Sequence, residues 1–142
     1  MSASYDLDRF VRAQAPVYAQ VCSELGRGRK TSHWMWFVFP QIRGLGRSEM
    51  AQQFAISSLE EARTYLAHPL LGPRLIECTR LICAVSGKTI YEILGSPDDL
   101  KFHSSMTLFF HAASDRSAFD EALRKYFGGK QDSATLQICE LQ

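Results

Sequence analysis

The chain has 142 residues, a formal net charge of +1, 46% hydrophobic residues and 22% charged residues. These values describe one globular domain over residues 1–142, with a core that needs no metal or disulfide support. The near-neutral charge excludes a general attraction to nucleic acid or anionic membrane. Because no apolar stretch reaches membrane-span length and residues 1–18 show no secretory pattern, we expect a soluble, cytoplasmic protein without nucleic-acid or membrane partners.

The four cysteines lie in apolar, helix-like stretches, and none forms a CxxC pair. They are Cys22, Cys78, Cys83 and Cys139. This pattern predicts buried, reduced thiols rather than a disulfide framework or a zinc site. We therefore expect no metal and no cofactor.

Every predicted element is a helix. The first segment, residues 6–25, has apolar positions at helical spacing, and Pro16 within it predicts a kink or break near residues 12–15. Further helices are predicted, in chain order, at 33–39, 49–56, 59–67, 73–85, 89–94, 97–113, 118–127 and from 132 onward. Since no alternating segments could pair as strands, the sequence predicts an all-α fold. It should be a single compact domain of about seven to nine short and medium helices in an orthogonal array, without significant sheet.

Several serines stand where helix N-caps are expected. Ser48 precedes an apolar-periodic stretch, and Ser57 and Ser58 each have a glutamate three residues on, as in a capping box. Ser32 can cap the short aromatic helix. The segment Ser96-Pro97-Asp98-Asp99 combines a cap residue, a first-turn proline and two carboxylates at the positive helix end.

The segment Lys30–Gln41 is unusually dense in aromatic residues. Such a cluster can line a pocket wall and stack on a flat ligand, with neighbouring polar groups in contact. Its candidate ligand-binding residues are Lys30, Ser32, Trp34, Trp36 and Gln41, and His33 is the candidate proton carrier. Two interpretations remain open: the aromatics form core alone, or core together with a pocket wall.

The segment Asp98–Thr107 predicts a central helix that is apolar around much of its circumference. The hydroxyls of Ser104 and Ser105 either bond to the backbone or face a polar partner. If Lys101 is not exposed, it should pair with Asp98, Asp99 or an anionic ligand. Both carboxylates are also candidate catalytic partners of the histidine in the first segment.

The turn at residues 43–48 is glycine-rich and basic, and it leads into a helix N-terminus. Arg43 and Arg47 with free backbone donors could hold a phosphate or carboxylate. The turn lacks the glycine-lysine end of a Walker loop and follows no strand. An ordinary surface turn is the alternative.

Six motifs resemble those of a small bacterial family of unknown function, DUF1810. They are Tyr5–Phe10, Ser32–Gln41, Ala55–Ser58 with the aromatic residue before it, His68–Gly72, Ser96–Lys101 and Ser104–Phe109. The resemblance runs from Tyr5 to about residue 129. It implies a small all-α protein, and it supplies no activity, cofactor or catalytic residue.

Two hypotheses of function follow. In the first, the domain binds a small anionic or aromatic, nucleotide-like metabolite, with weak acid–base hydrolytic chemistry as a variant. In the second, it is a non-enzymatic protein-interaction or scaffold module without a ligand site. The first requires His33, Gln41, Lys101 and Ser104 to converge on one open cleft. Oligomeric state is not encoded in any motif.

Overall fold

The computed structural model describes residues 4–141, and helices make up most of the fold in this range. These are α1 (Asp8–Gln14), α2 (Tyr18–Gly26), α3 (Met35–Val38), α4 (Glu49–Gln53), α5 (Leu59–Ala67), α6 (Leu71–Cys83), α7 (Ile90–Leu94), α8 (Asp98–Ala112), α9 (Ser117–Phe127) and α10 (Ser133–Ile138). The all-α prediction is confirmed, with 61% helix. Ten helices in this range exceed the seven to nine expected. None of them is long and apolar enough to cross a membrane.

Local signals set several helix ends as predicted. The chain breaks at Pro16, so that α1 ends at Gln14 and α2 begins at Tyr18. Ser48 Oγ accepts a hydrogen bond of 3.1 Å from the backbone N–H of the third residue of α4. Ser58 Oγ does the same for α5, also at 3.1 Å. These caps satisfy backbone donors that have no partner inside their helix.

Two predicted caps are wrong. No side-chain hydrogen bond caps α3 or α8. Ser32 lies before the start of α3, and its hydroxyl is bound to Glu24 instead. Ser96 is separated from α8 by Pro97, and the helix begins at Asp98, whose carboxylate and that of Asp99 lie in the first turn.

The helix predicted at 49–56 ends early, at Gln53, because the next residues pair with another extended segment. Ile56 donates its N–H to the carbonyl of Gln41 at 2.8 Å, and Arg43 donates to the carbonyl of Ile56 at 2.7 Å. This isolated parallel bridge joins Ile42 and Ile56. It fixes the segment after α3 against the segment after α4.

Helix α8 lies at the centre of the fold, packed against α5, α7, α9 and α10. Phe102 and Phe109 are fully buried. Phe102 packs edge-to-face on Phe39 with 5.0 Å between ring centroids, and Phe109 lies 5.3 Å from Tyr65. The start of α8 is thereby held beside the aromatic segment around α3, and the two predicted polar segments meet there.

The junction of α5 and α6 is a close backbone approach. A Cβ atom at Gly72 would lie 2.0 Å from the carbonyl oxygen of Leu66. Only glycine fits at this position. Helix α6 begins at Leu71, two residues before the predicted Pro73. The absence of a side chain at Gly72 allows α5 and α6 to approach closely where they join.

Candidate functional site

A buried carboxylate organises the loop that precedes α3. Glu24 Oε1 accepts hydrogen bonds from the backbone N–H groups of Thr31 and Ser32 at 2.8 and 3.1 Å, and from the Trp34 indole at 3.0 Å. Glu24 Oε2 accepts from the Ser32 hydroxyl at 2.5 Å and from Gln20 at 2.8 Å. The loop is therefore wrapped around one negative charge.

Two opposing effects act on the Glu24 carboxyl. Burial by itself raises its pKa, because removal from water disfavours the charged form. The donors from Ser32, Thr31, Gln20 and Trp34 outweigh burial and lower the pKa well below the ordinary 4.5. The group is ionised at neutral pH, and its hydrogen bonds are charge-assisted.

The hydrogen bonds to Glu24 make Ser32 and Trp34 part of the internal structure. Trp34 is 1% exposed and its indole N–H is bound to Glu24, so it belongs to the core rather than to an open wall. The neighbouring Trp36 is only partly buried and lines a cavity. The two interpretations of the aromatic segment thus apply to different residues.

The predicted pairing of Lys101 with Asp98 is present, and Lys30 pairs more closely with the same carboxylate. Lys30 Nζ lies 2.8 Å from Asp98 Oδ2, whereas Lys101 Nζ lies 3.6 Å from Asp98 Oδ1. The Lys30 side chain is 7% exposed and the Lys101 side chain 23%. Each ammonium also lies over a tryptophan ring, Lys30 at 5.1 Å from Trp34 and Lys101 at 5.2 Å from Trp36. Lys30 is the closely held partner, and Lys101 is the accessible one.

A cavity of about 420 Å³ opens beside Trp36 and Lys101. Its apolar lining includes the buried residues Phe39 and Phe54, and its polar lining includes Gln41 and Arg43. The glycine-rich turn and α4 form its rim. We call it the apolar cavity.

The rim of the apolar cavity depends on tight packing at Gly46. A Cβ atom there would lie 2.4 Å from the Cβ of Ala51 on α4. The turn therefore lies directly against the helix that it precedes. Arg47, one residue further, is exposed and does not line the cavity, although it shares the predicted basic turn.

The four residues expected to converge do not all do so. Gln41 and Lys101 line the apolar cavity together, and His33 lines a neighbouring cavity that also includes Lys101. Ser104 lines neither, because its hydroxyl bonds to the Leu100 carbonyl at 3.2 Å and to Asp132 at 3.0 Å. The requirement that all four residues converge on one cleft is therefore not met: Lys101 meets Gln41 in one cavity and His33 in the other, and Ser104 lies outside both.

The remaining candidates are dispersed. Ser105 Oγ is buried and has no hydrogen-bond partner within residues 4–141. Asp99 Oδ1 accepts from the backbone N–H of Leu100 and lines neither cavity. His33 is exposed, and over the same range it has no hydrogen bond to a carboxylate. His33 and Asp98 nevertheless line the same neighbouring cavity, and their acid–base role stays a prediction.

Glu24 is the important residue that the sequence reasoning missed. It follows Val21 by three positions, which places it on the buried face of α2. A carboxylate at such a position needs several donors, and three polar residues follow at 30–32. A glutamate on the apolar face of a predicted helix, followed by a polar segment at residues 30–32, could have identified Glu24 from the sequence.

The fold and the cavity define an all-helical domain with a small-molecule-sized pocket beside its central helix. The family model described as "Protein of unknown function (DUF1810)" matches residues 4–139, and the chain belongs to this family. The crystal structure of the conserved hypothetical protein Rv1873 from Mycobacterium tuberculosis is similar, with 56% sequence identity and a TM-score of 0.95. That match covers 97% of this chain and 99% of the other. No curated protein matches.

Proposed function

We propose that the apolar cavity binds a small metabolite that combines a flat or apolar body with an anionic group. The observation that carries the proposal is the charge of its lining. Arg43 and Lys101 are the charged residues that line it among residues 4–141, and both are cations. An anionic group would meet two positive charges and no carboxylate of the lining.

The remainder of the lining suits an organic body. Met35, Trp36, Phe39 and Phe54 provide sulfur and aromatic surface, and a volume of about 420 Å³ is within the usual range for metabolite sites. Stacking on Trp36 favours a planar group, because a ring face makes extensive contact with another flat surface. A nucleotide-like ligand meets both requirements.

Two polar residues of the lining, Gln41 and Lys101, are available to bind a ligand. The Gln41 side chain makes no hydrogen bond to another part of residues 4–141, and its atoms are not sealed from solvent. Lys101 is held by its aspartate at 3.6 Å, longer than a normal hydrogen bond. A ligand could engage both without breaking a close internal contact.

The test is a thermal-shift and calorimetry screen with aromatic carboxylates, nucleosides and nucleotides. A ligand at a hundred times its dissociation constant adds about 2.7 kcal/mol, which raises Tm by roughly 10 °C for a domain of this size. Trp36→Leu should abolish the shift with every ligand that binds, Lys101→Met should abolish it with the anionic ligands, and both variants should still fold. Arg47→Met is the matched control, since it removes a cation from the same turn outside the cavity. If no member of the panel shifts Tm, the ligand proposal is wrong and the interaction-module hypothesis replaces it.

A further inference from the structure

A second cavity adjoins the apolar one. Its volume is about 400 Å³, and Met35, Trp36 and Lys101 line both. Trp36 and Lys101 therefore stand at the boundary between two spaces, each large enough for part of a ligand. We call the second space the polar cavity.

The two cavities differ in chemistry. The polar cavity lies between the loop before α3 and the start of α8, and much of its lining can form hydrogen bonds. That polar lining comprises Lys30, Thr31, Ser32, His33, Ser96, Asp98 and Lys101. Buried aromatic rings are confined to the other side of the boundary. One side suits a ring and the other a polar group.

Internal contacts decide which donors of the polar cavity are available. Glu24 occupies the Ser32 hydroxyl, and Asp98 occupies Lys30 at 2.8 Å. Over residues 4–141 the Thr31 hydroxyl and the His33 ring make no hydrogen bond, and both residues are exposed. An ammonium, an imidazole and a hydroxyl thus remain to bind one acceptor group.

The charges favour a phosphate over a carboxylate. Lys30 and Asp98 neutralise each other at close range, so the aspartate does not repel an incoming anion strongly. Two lysines share one aspartate, so the group keeps one positive charge in excess, and Lys101 at the boundary is the less closely paired of the two. A phosphate monoester carries close to two negative charges at neutral pH and has three acceptor oxygens, enough for three separate donors.

We propose, building on the proposed function of the apolar cavity, that the two cavities form one site for a phosphate monoester of a planar organic molecule. The ring occupies the apolar cavity against Trp36. The phosphate lies in the polar cavity, where it accepts from Thr31, His33 and Lys101. Lys101 marks the point at which the apolar part of the ligand ends.

The experiment compares matched ligands by isothermal titration calorimetry: AMP against adenosine, and phenyl phosphate against benzoate. The phosphate of each pair should bind at least tenfold more tightly. Thr31→Val, which changes only the lining of the polar cavity, should weaken binding of AMP and leave binding of adenosine unchanged, and Lys101→Met should weaken AMP more than adenosine. Arg47→Met, which touches neither cavity, should bind all four ligands as the wild type does.

The outcomes separate the two proposals. If benzoate or adenosine binds as tightly as its phosphate counterpart, the apolar cavity is a ligand site but the phosphate assignment is wrong. The same conclusion follows if Lys101→Met weakens adenosine and AMP equally. If none of the four ligands binds at millimolar concentration, both proposals are overturned.

Discussion

Replacement of Glu24 by glutamine removes one buried charge and almost no volume. The wild-type carboxylate accepts hydrogen bonds from Thr31, Ser32, Trp34 and Gln20 at 2.5 to 3.1 Å. A hydrogen bond to a charged group contributes about 1.5–3 kcal/mol, against about 0.5–1.5 for a neutral pair. The neutral amide is easier to bury, which offsets part of this loss. We therefore expect Glu24→Gln to lower the free energy of unfolding by about 2 kcal/mol at pH 7.

The pH dependence gives a second, independent test. Because the folded-state pKa of Glu24 is lowered, its stabilisation is fully present above the unfolded value near 4.5. It is lost as the pH falls below that value towards the folded pKa. The difference in unfolding free energy between wild type and Glu24→Gln should thus be largest at pH 7 and smaller at pH 3.5.

Urea denaturation at both pH values, followed by tryptophan fluorescence, measures this difference. Glu60→Gln is the matched control, because Glu60 is exposed in the first turn of α5 and should contribute at most about 0.5 kcal/mol. A Glu24→Gln variant no less stable than Glu60→Gln would refute the structural role of the carboxylate. An equal loss at pH 7 and pH 3.5 would refute the role of its charge.

Three further predictions concern packing, thiol chemistry and the lysine pair. Gly72→Ala should lower the free energy of unfolding by about 3 kcal/mol or more in urea denaturation, since the new methyl group would lie 2.0 Å from a carbonyl oxygen. Gly26→Ala is the control: no atom lies close to its added methyl group, so the free energy of unfolding should rise by up to about 0.5 kcal/mol. Burial raises the pKa of Cys78 to about 12, so this thiol should be alkylated by iodoacetamide at pH 8 far more slowly in the native protein than in urea, and equal rates would show it to be accessible. Lys30→Met should lower the free energy of unfolding by about 2 kcal/mol, because it leaves the largely buried Asp98 without its close partner. Lys101→Met should change it by less than about 1 kcal/mol. Equal losses in urea denaturation would contradict the conclusion that Lys30 is the more closely paired lysine.

Features governed by local chemistry were predictable from the sequence. The break at Pro16 and the caps at Ser48 and Ser58 each depend on a few neighbouring residues, and each is confirmed. The early end of α4 was not predictable in this way. It depends on backbone pairing between Gln41 and Ile56, which are fifteen positions apart, and the glycine-rich turn between them does not specify which residues pair.

The serines show the same limit at the candidate site. Ser32 and Ser48 each precede a segment that the sequence predicts to be helical, but only Ser48 caps a helix. What separates them is Glu24, a stronger acceptor supplied by another helix, to which the Ser32 hydroxyl donates. A hydroxyl group bonds where the tertiary structure places a partner, and sequence spacing reveals that partner only within one or two turns.

The two lysines carry this argument to function. Lys30 and Lys101 both lie over a tryptophan ring and both pair with Asp98, so residue type and neighbourhood do not distinguish them. One carboxylate cannot fully compensate two ammonium groups, and the closer, more buried lysine takes the larger share of its charge. The other is left at the boundary of two cavities with its charge largely uncompensated. The candidate site thus arises from an imbalance of charge that exists only once the two segments are folded together. For that reason the sequence could name Lys30 and Lys101 as candidates but not decide which of them stays accessible.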